Sequence, residues 1–116
     1  MATPAKPVPE RRLVEIDLKP GSQNGFNYQD ENGNPGDSVH VPQGGTIQWR
    51  SKVGNGNFAV HFDRGRTPCN QVDFWGSGSF TGNILTTAAS DTYKYIVAVQ
   101  DANGRIHIDD PEVIVP

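Results

Sequence analysis

Alternation of apolar and polar positions is the main pattern of this chain, and it predicts β-strands. Between positions 12 and 19, Val14, Ile16 and Leu18 share one side while charged residues occupy the other, as in a half-buried strand. Turn-forming residues separate this segment from further alternating segments. The sequence predicts strands at 12–19, 38–41, 46–51, 57–63, 80–85, 92–100, 105–108 and 112–115.

Two segments of the chain lack this alternation. Positions 21–37 are rich in Asn, Asp and Gly, and they are predicted to form a long, turn-rich excursion. From 64 to 79 no period survives, and the part 67–76 is predicted to be a long loop that carries two large aromatic residues. Long loops of this kind are frequently functional.

About seven or eight short strands at regular spacing predict a single all-β domain, a Greek-key β-sandwich, over positions 12–116. Positions 1–11 contain three prolines and are predicted to be a flexible tail outside the core. The length of 116 residues fits one domain. Val and Ile far outnumber Leu, and 13 Gly and 9 Pro are present, which excludes a helical bundle.

Charge and hydropathy exclude several classes of partner. The chain has 10 basic and 13 acidic residues and a net charge of −3, so it has no electrostatic footprint for nucleic acid or an anionic membrane. It has no long apolar run and no apolar segment typical of a secretion signal near its start. The sequence therefore predicts a soluble protein, cytoplasmic as written, and periplasmic or secreted if a leader has been removed.

Three segments carry a family resemblance. Positions 39–51 run through an apolar strand and a Gly turn to Thr-x-x-Trp, and FAVHF follows at 58–62 after a polar gap. At 93–97 the sequence YKYIV contains a Tyr-x-Tyr pair. These segments resemble the central strands of cupredoxins and the segment that leads into their metal-binding Cys. The resemblance covers roughly 38–116 and implies a cupredoxin-like fold.

The resemblance does not extend to the copper ligands. A blue-copper site needs two imidazoles and one thiolate. Where the family has its first His, this chain has Asn57 or Phe58; the position of the Cys is Val97 and that of the second His is Gln100. The one Met is Met1, in the predicted tail, so the weak axial ligand is missing too. The resemblance therefore implies a copper-free domain without a cofactor.

Other metal donors are few. They are His40, His61, His107 and Cys69, and no two of them have the close spacing of a zinc or copper motif. We expect the histidines to be solvated surface residues. The segment 30–34 begins like a calcium loop, but the loop has Pro and Val where calcium binding needs Gly and Glu. No metal site is predicted, and a redox metalloprotein with non-standard ligands is the least favoured alternative.

Catalytic motifs are equally few. Cys69 is predicted to lie in an open loop, with Arg64 and Arg66 close enough in sequence to lower its pKa. No Gly-x-Ser-x-Gly, His-Glu-x-x-His or phosphate-loop motif is present. We therefore predict no catalytic residue, and a binding module is favoured over an enzyme.

The aromatic loop is the positive indication of function. Phe74 and Trp75 either close one end of the sandwich or stand on its surface as anchors for a partner. With the polar Asn70 and Gln71 they form the predicted binding site, whereas Trp49 is expected in the core. The sequence thus predicts a binding or assembly module that contacts a protein partner or its own copies. A carbohydrate-binding module that stacks Trp75 on a sugar ring is the alternative.

Overall fold

The computed structural model describes residues 9–19 and 25–116, and these residues form ten strands and no helix. The strands are β1 (Arg11–Leu18), β2 (Phe26–Gln29), β3 (Ser38–His40), β4 (Thr46–Ser51), β5 (Asn57–Phe62), β6 (Asp73–Ser77), β7 (Ser79–Asn83), β8 (Asp91–Gln100), β9 (Ile106–Asp109) and β10 (Glu112–Val115). Among the described segments no helix is long and apolar enough to cross a membrane.

The ten strands are arranged in two mixed sheets. The first sheet has the order β2-β1-β4-β7, in which β1 runs antiparallel to β2 and parallel to β4. The second sheet has the order β3-β10-β8-β5-β6, and β9 pairs with β8 beside this path. In the second sheet β3 and β10 are parallel, while β10, β5 and β9 are antiparallel to β8. The prediction of an all-β chain is confirmed.

The buried faces of the two sheets share an aromatic core. Trp49 of β4 is fully buried, and its ring centroid lies 5.6 Å from that of Tyr95 and 6.1 Å from that of Phe62, both in the second sheet. Since β4 and β8 alternate buried and exposed residues, each strand gives one face to this core and one to solvent. The prediction that Trp49 lies in the core is confirmed.

Hydrophobic alternation locates most strands correctly. The strand predicted at 46–51 has the observed bounds of β4, and the strand predicted at 92–100 begins one residue late. The turn-rich excursion contains β2, and its first four residues lie outside the described ranges. The predicted tail likewise lies outside them as far as position 8, and β1 already begins at Arg11.

The predicted loop at 67–76 is wrong in its second half. Residues Asp73–Ser77 form β6, which pairs antiparallel with β5 along five consecutive residues. Asp and Gly are depleted in strands and flank Phe74 and Trp75 here, so local preference gave only a weak signal for this element. The strand forms because its backbone pairs with β5, and this pairing cannot be read from the local sequence.

Candidate functional site

The two aromatic residues of the predicted site point in opposite directions. Neighbouring residues of a strand face opposite sides of the sheet, so on β6 one ring is buried and the next is exposed. Phe74 is 5% exposed, and its ring lies 5.1 Å from that of Trp49 in the core. Trp75 is 76% exposed on the outer face of the second sheet. Phe74 is thus a core residue, and Trp75 alone has the exposure of an anchor.

The two polar residues of the predicted site precede β6. Asn70 and Gln71 are exposed, and the backbone N–H of Asn70 donates to the carbonyl of Asn83 at 3.3 Å. The Thr67 hydroxyl donates to the carbonyl of Gln71 at 3.0 Å. The first bond ties the segment to the end of β7, in the other sheet, and the second lies within the segment. Because Phe74 is buried, the four residues do not form one exposed site.

Instead, Trp75 belongs to an apolar row that crosses four strands. It lies opposite Ala59 of β5, Ala59 lies opposite Ala98 of β8, and Ala98 lies opposite Ile108 of β9. Ile108 is 65% exposed, and both alanines are half-buried. Because the alanine side chains are short, the surface of the row is lower between the Trp75 ring and the Ile108 side chain than at its two ends.

Two further isoleucines extend this row. Ile96 lies two residues before Ala98 on β8, and Ile106 lies two residues before Ile108 on β9, so both project from the same face. They are 43% and 60% exposed. We call these six residues the outer apolar face: Ala59, Trp75, Ile96, Ala98, Ile106 and Ile108.

Charged residues border the outer apolar face on one side. The Nδ1 atom of His61 is hydrogen-bonded to the carboxylate of its cross-strand neighbour Asp73. Beside them lies a depression of about 230 Å³ whose lining includes His61, Ile96, Lys94 and Asp110. An apolar centre with a polar rim is the usual anatomy of a protein-binding patch.

Sequence reasoning missed five of the six residues of the outer apolar face. One local signal existed in β8, where Ile96 and Ala98 occupy the side opposite the buried Tyr95 and Val97. Apolar residues on the solvent side of a strand indicate a contact surface when they are contiguous. Contiguity with Trp75 depends on the register of four strands and cannot be read locally.

Cys69 is not in an open loop, which contradicts the sequence-based expectation. Its side chain is 1% exposed, and its backbone forms a bridge with Ile84 at the end of β7. Burial raises the pKa of the Cys69 thiol to about 12, because the charged thiolate loses its hydration. The nearby arginines in sequence do not offset this loss. A buried thiol of this kind is inert as a nucleophile.

This burial predicts slow modification of Cys69 in the folded protein. With a pKa of about 12, about one thiol in 10⁴ is ionised at pH 8. We expect dithionitrobenzoate to modify the folded protein at least about 100-fold more slowly than the protein in concentrated guanidinium. A Thr87→Cys variant made in a Cys69→Ser background gives the rate for an exposed thiol on the same scaffold, because Thr87 lies in an exposed turn. Equal rates for folded and unfolded protein would contradict the burial.

The expectation of three solvated histidines is wrong for His107. This residue of β9 is 9% exposed and faces inward, and its Nε2 atom donates to Asp101 at 2.9 Å. The hydrogen bond from His107, with others from the backbone N–H groups of Arg105 and Asn103, holds the pKa of Asp101 below its usual range. His40 and His61 are exposed. The His107–Asp101 pair thus fixes the turn between β8 and β9.

The metal-donor side chains are dispersed over the described part of the chain. Within residues 9–19 and 25–116, no three His, Cys, Asp or Glu side chains are grouped so that they could hold a metal ion. At the positions that the family resemblance assigns to copper ligands, Val97 and Phe58 are buried in the core and Gln100 is exposed. Val97 lies opposite Val60, among hydrocarbon neighbours.

A second cleft lies near β2. It has a volume of about 380 Å³, and Phe26, Tyr28, Asp37 and Asp109 contribute to its lining. The Tyr28 hydroxyl donates to Asp109 at 2.9 Å, and burial together with this carboxylate raises the pKa of Tyr28. Since β2 and β9 belong to different sheets, this hydrogen bond joins the two layers. Tyr28 therefore serves the fold here and is a poor proton donor for chemistry.

Comparison with known proteins leaves the function to be inferred from this geometry. No protein-family model and no curated protein matches the chain. The features that bear on function are the outer apolar face, its charged border and the buried Cys69 and His107 side chains.

Proposed function

We propose that this chain is a non-catalytic binding or assembly module that contacts protein through its outer apolar face, with Trp75 as the anchor. The observation that carries the proposal is the exposure of Trp75 beside contiguous alanine and isoleucine side chains. A large exposed apolar patch is costly to leave in water, so it is typical of surfaces that are covered by a partner. Exposed tryptophan is also the residue type most enriched among binding hot spots.

We further propose that the fold is a copper-free, cupredoxin-like Greek-key sandwich. Support comes from the chain path, because β1 and β2 lie in the first sheet, β3 in the second, β4 in the first again and β5 in the second. Such crossing between sheets is typical of Greek-key sandwiches. Valine at position 97, where the family has its thiolate, supports the copper-free part of the proposal.

The same geometry favours protein over carbohydrate as the partner. A sugar-binding site needs hydrogen-bond donors and acceptors next to the stacking ring, because each hydroxyl of the sugar must be satisfied. Here the cross-strand neighbours that follow Trp75 are Ala59, Ala98 and Ile108, which offer only hydrocarbon, and the polar side chains of Asp73 and Ser77 flank the ring only along β6. A protein side chain of similar polarity suits this surface better. The proposal of a non-catalytic module is supported by the burial of the Cys69 and His107 side chains, which are 1% and 9% exposed.

Alanine substitution of Trp75 tests the proposed function. We expect Trp75→Ala to weaken association by at least about tenfold, because an anchoring tryptophan contributes about 2 kcal/mol or more to binding. The melting temperature should change little, since the ring is 76% exposed. Association is measured in two ways. Wild-type and variant protein are each used to co-purify partners from the native source, and each is titrated with purified copies of the chain to measure self-association.

A second alanine substitution is the control, and each alternative outcome gives a different result. Leu85→Ala removes another large apolar side chain, 40% exposed and outside the outer apolar face, and should bind like the wild type. Unchanged association of Trp75→Ala, or equal losses in both variants, would contradict the proposal. Saturable binding of oligosaccharides that Trp75→Ala abolishes would instead establish the carbohydrate alternative.

A further inference from the structure

The strand that carries Trp75 is the last strand of its sheet. β6 pairs with β5 on one side, and within residues 9–19 and 25–116 it ends the order β3-β10-β8-β5-β6. A strand in this position turns half of its backbone N–H and C=O groups away from the sheet, where they can pair with a further strand. Which residues do so follows from the hydrogen-bond pattern between β5 and β6.

The bonds on either side of β6 fix this pattern. The N–H of Phe62 donates to the carbonyl of Val72 at 2.8 Å, and the N–H of Gly78 donates to the carbonyl of Gly56 at 3.0 Å. Hydrogen-bonded and non-hydrogen-bonded pairs alternate along an antiparallel ladder. The pair of Trp75 and Ala59 is therefore non-hydrogen-bonded. The backbone groups of Asp73, Trp75 and Ser77 consequently point to the open edge.

We infer that β6 pairs antiparallel with β6 of a second copy of this chain and so joins two second sheets into one continuous sheet. The inference rests on the proposed function, because it names the occupant that covers Trp75. Strand addition at an open edge is an established mode of recognition in which the backbone supplies the hydrogen bonds. A pair of identical strands related by a two-fold axis forms such an interface from one patch.

Self-complementarity of β6 is the reason for choosing a second copy. When Trp75 faces Trp75 of the second copy, Asp73 faces its Ser77 and Ser77 faces its Asp73. This register uses the outward backbone groups of all three residues. It also avoids placing two aspartates opposite each other, which the register centred on Asp73 would do. Both Trp75 rings then lie side by side on one face and shield each other from water.

The edge carries little protection against such pairing. Natural edge strands are commonly blocked by Pro, by charged side chains, above all Lys, or by a bulge. The five residues of β6 read DFWGS and include neither Pro nor Lys, and their pairing with β5 is continuous. Asp73 is the one charged residue of β6, and the register centred on Trp75 places it opposite Ser77. On the opposite border of the outer apolar face, β9 exposes Ile106 and Ile108, and these stay uncovered in the inferred dimer.

A matched pair of charge substitutions at Ser77 tests both the pairing and its register. Ser77→Asp places a carboxylate opposite Asp73 of the second copy twice per dimer, whereas Ser77→Lys places an ammonium there. We expect sedimentation equilibrium to show a reversible wild-type dimer, an approximately tenfold weaker dimer for Ser77→Asp, and an undiminished dimer for Ser77→Lys. Ile108→Asp, which adds the same charge at the far border, should leave the dimer unchanged.

Amide hydrogen exchange gives a second readout that a face-to-face contact would not produce. On raising the protein concentration, the amides of Asp73, Trp75 and Ser77 should become protected, while those of Phe74 and Gly76 are protected throughout by β5. A wild-type protein that stays monomeric to about 1 mM, far above the range of specific complexes, overturns the inference. Equal effects of Ser77→Asp and Ser77→Lys, or no gain of protection at Trp75, also overturn it.

Trp75→Ala separates the failure of this inference from the failure of the proposed function. If Trp75→Ala weakens association with another protein while the wild type remains monomeric, the proposed function holds and the paired edge does not. If Ser77→Asp weakens the dimer while Trp75→Ala has no effect on association, the strands pair and Trp75 is not the anchor.

Discussion

Replacing Trp49 by alanine should lower the free energy of unfolding by about 3–5 kcal/mol. The side chain is fully buried, and its ring packs against four others, those of Phe62, Phe74, Phe80 and Tyr95, at centroid distances of 5.1 to 6.1 Å. These rings come from both sheets, so the substitution opens a cavity between the layers. Domains of this size are stable by about 5–15 kcal/mol, so such a loss removes a large fraction of the total stability.

The exposed tryptophan provides the matched control for this prediction. Trp75→Ala deletes the same atoms at a 76% exposed position and should change the free energy of unfolding by about 0.5 kcal/mol or less. Urea unfolding followed by circular dichroism measures both variants on one scale. Similar losses at the two positions would contradict the packing of the core around Trp49. A Trp49→Phe variant should lose less than Trp49→Ala, because the smaller ring still fills part of the space.

Local alternation was sufficient to predict the strands whose two faces differ in polarity. β4 is such a strand, since Ile47, Trp49 and Ser51 are buried between exposed neighbours. β6 is different, because only Phe74 among its five residues is buried and Gly76 interrupts the pattern. Its strand conformation depends on β5, and the paired residues of the two strands are 12 to 20 positions apart along the chain. Information of this range is absent from a local pattern.

The candidate site shows the same division between local and non-local information. The sequence left open whether Trp75 closes the core or stands on the surface. Alternation along β6 decides this, because Phe74 faces the core and Trp75 therefore faces solvent. Its neighbours in the outer apolar face come from β5, β8 and β9, which only the sheet register brings together. The same dependence explains the errors at Cys69 and His107, because the neighbouring sequence does not show which other parts of the fold bury these side chains.

A substitution of the glycine at position 54, between β4 and β5, should also lower the free energy of unfolding strongly. Gly54 has a φ of +55°, and a Cβ atom added there would lie 2.5 Å from the carbonyl oxygen of Gln100 at the end of β8. Alanine is therefore opposed twice, by the left-handed backbone conformation and by a rigid backbone atom. The first cost is about 1–2 kcal/mol and the second about 1–3 kcal/mol, so Gly54→Ala should lower the free energy of unfolding by about 2–5 kcal/mol.

Gly33 separates the two costs experimentally. Its φ is +79°, and a Cβ atom added there would meet nothing within 4 Å, so Gly33→Ala carries the conformational cost alone. Urea unfolding of both variants should show a loss of about 1–2 kcal/mol for Gly33→Ala and a larger loss for Gly54→Ala. The difference measures how tightly the β4–β5 turn is held against the end of β8, next to the turn that Asp101 and His107 stabilise. Equal losses would mean that the end of β8 yields to the added methyl group, and that the contact between the two turns is loose.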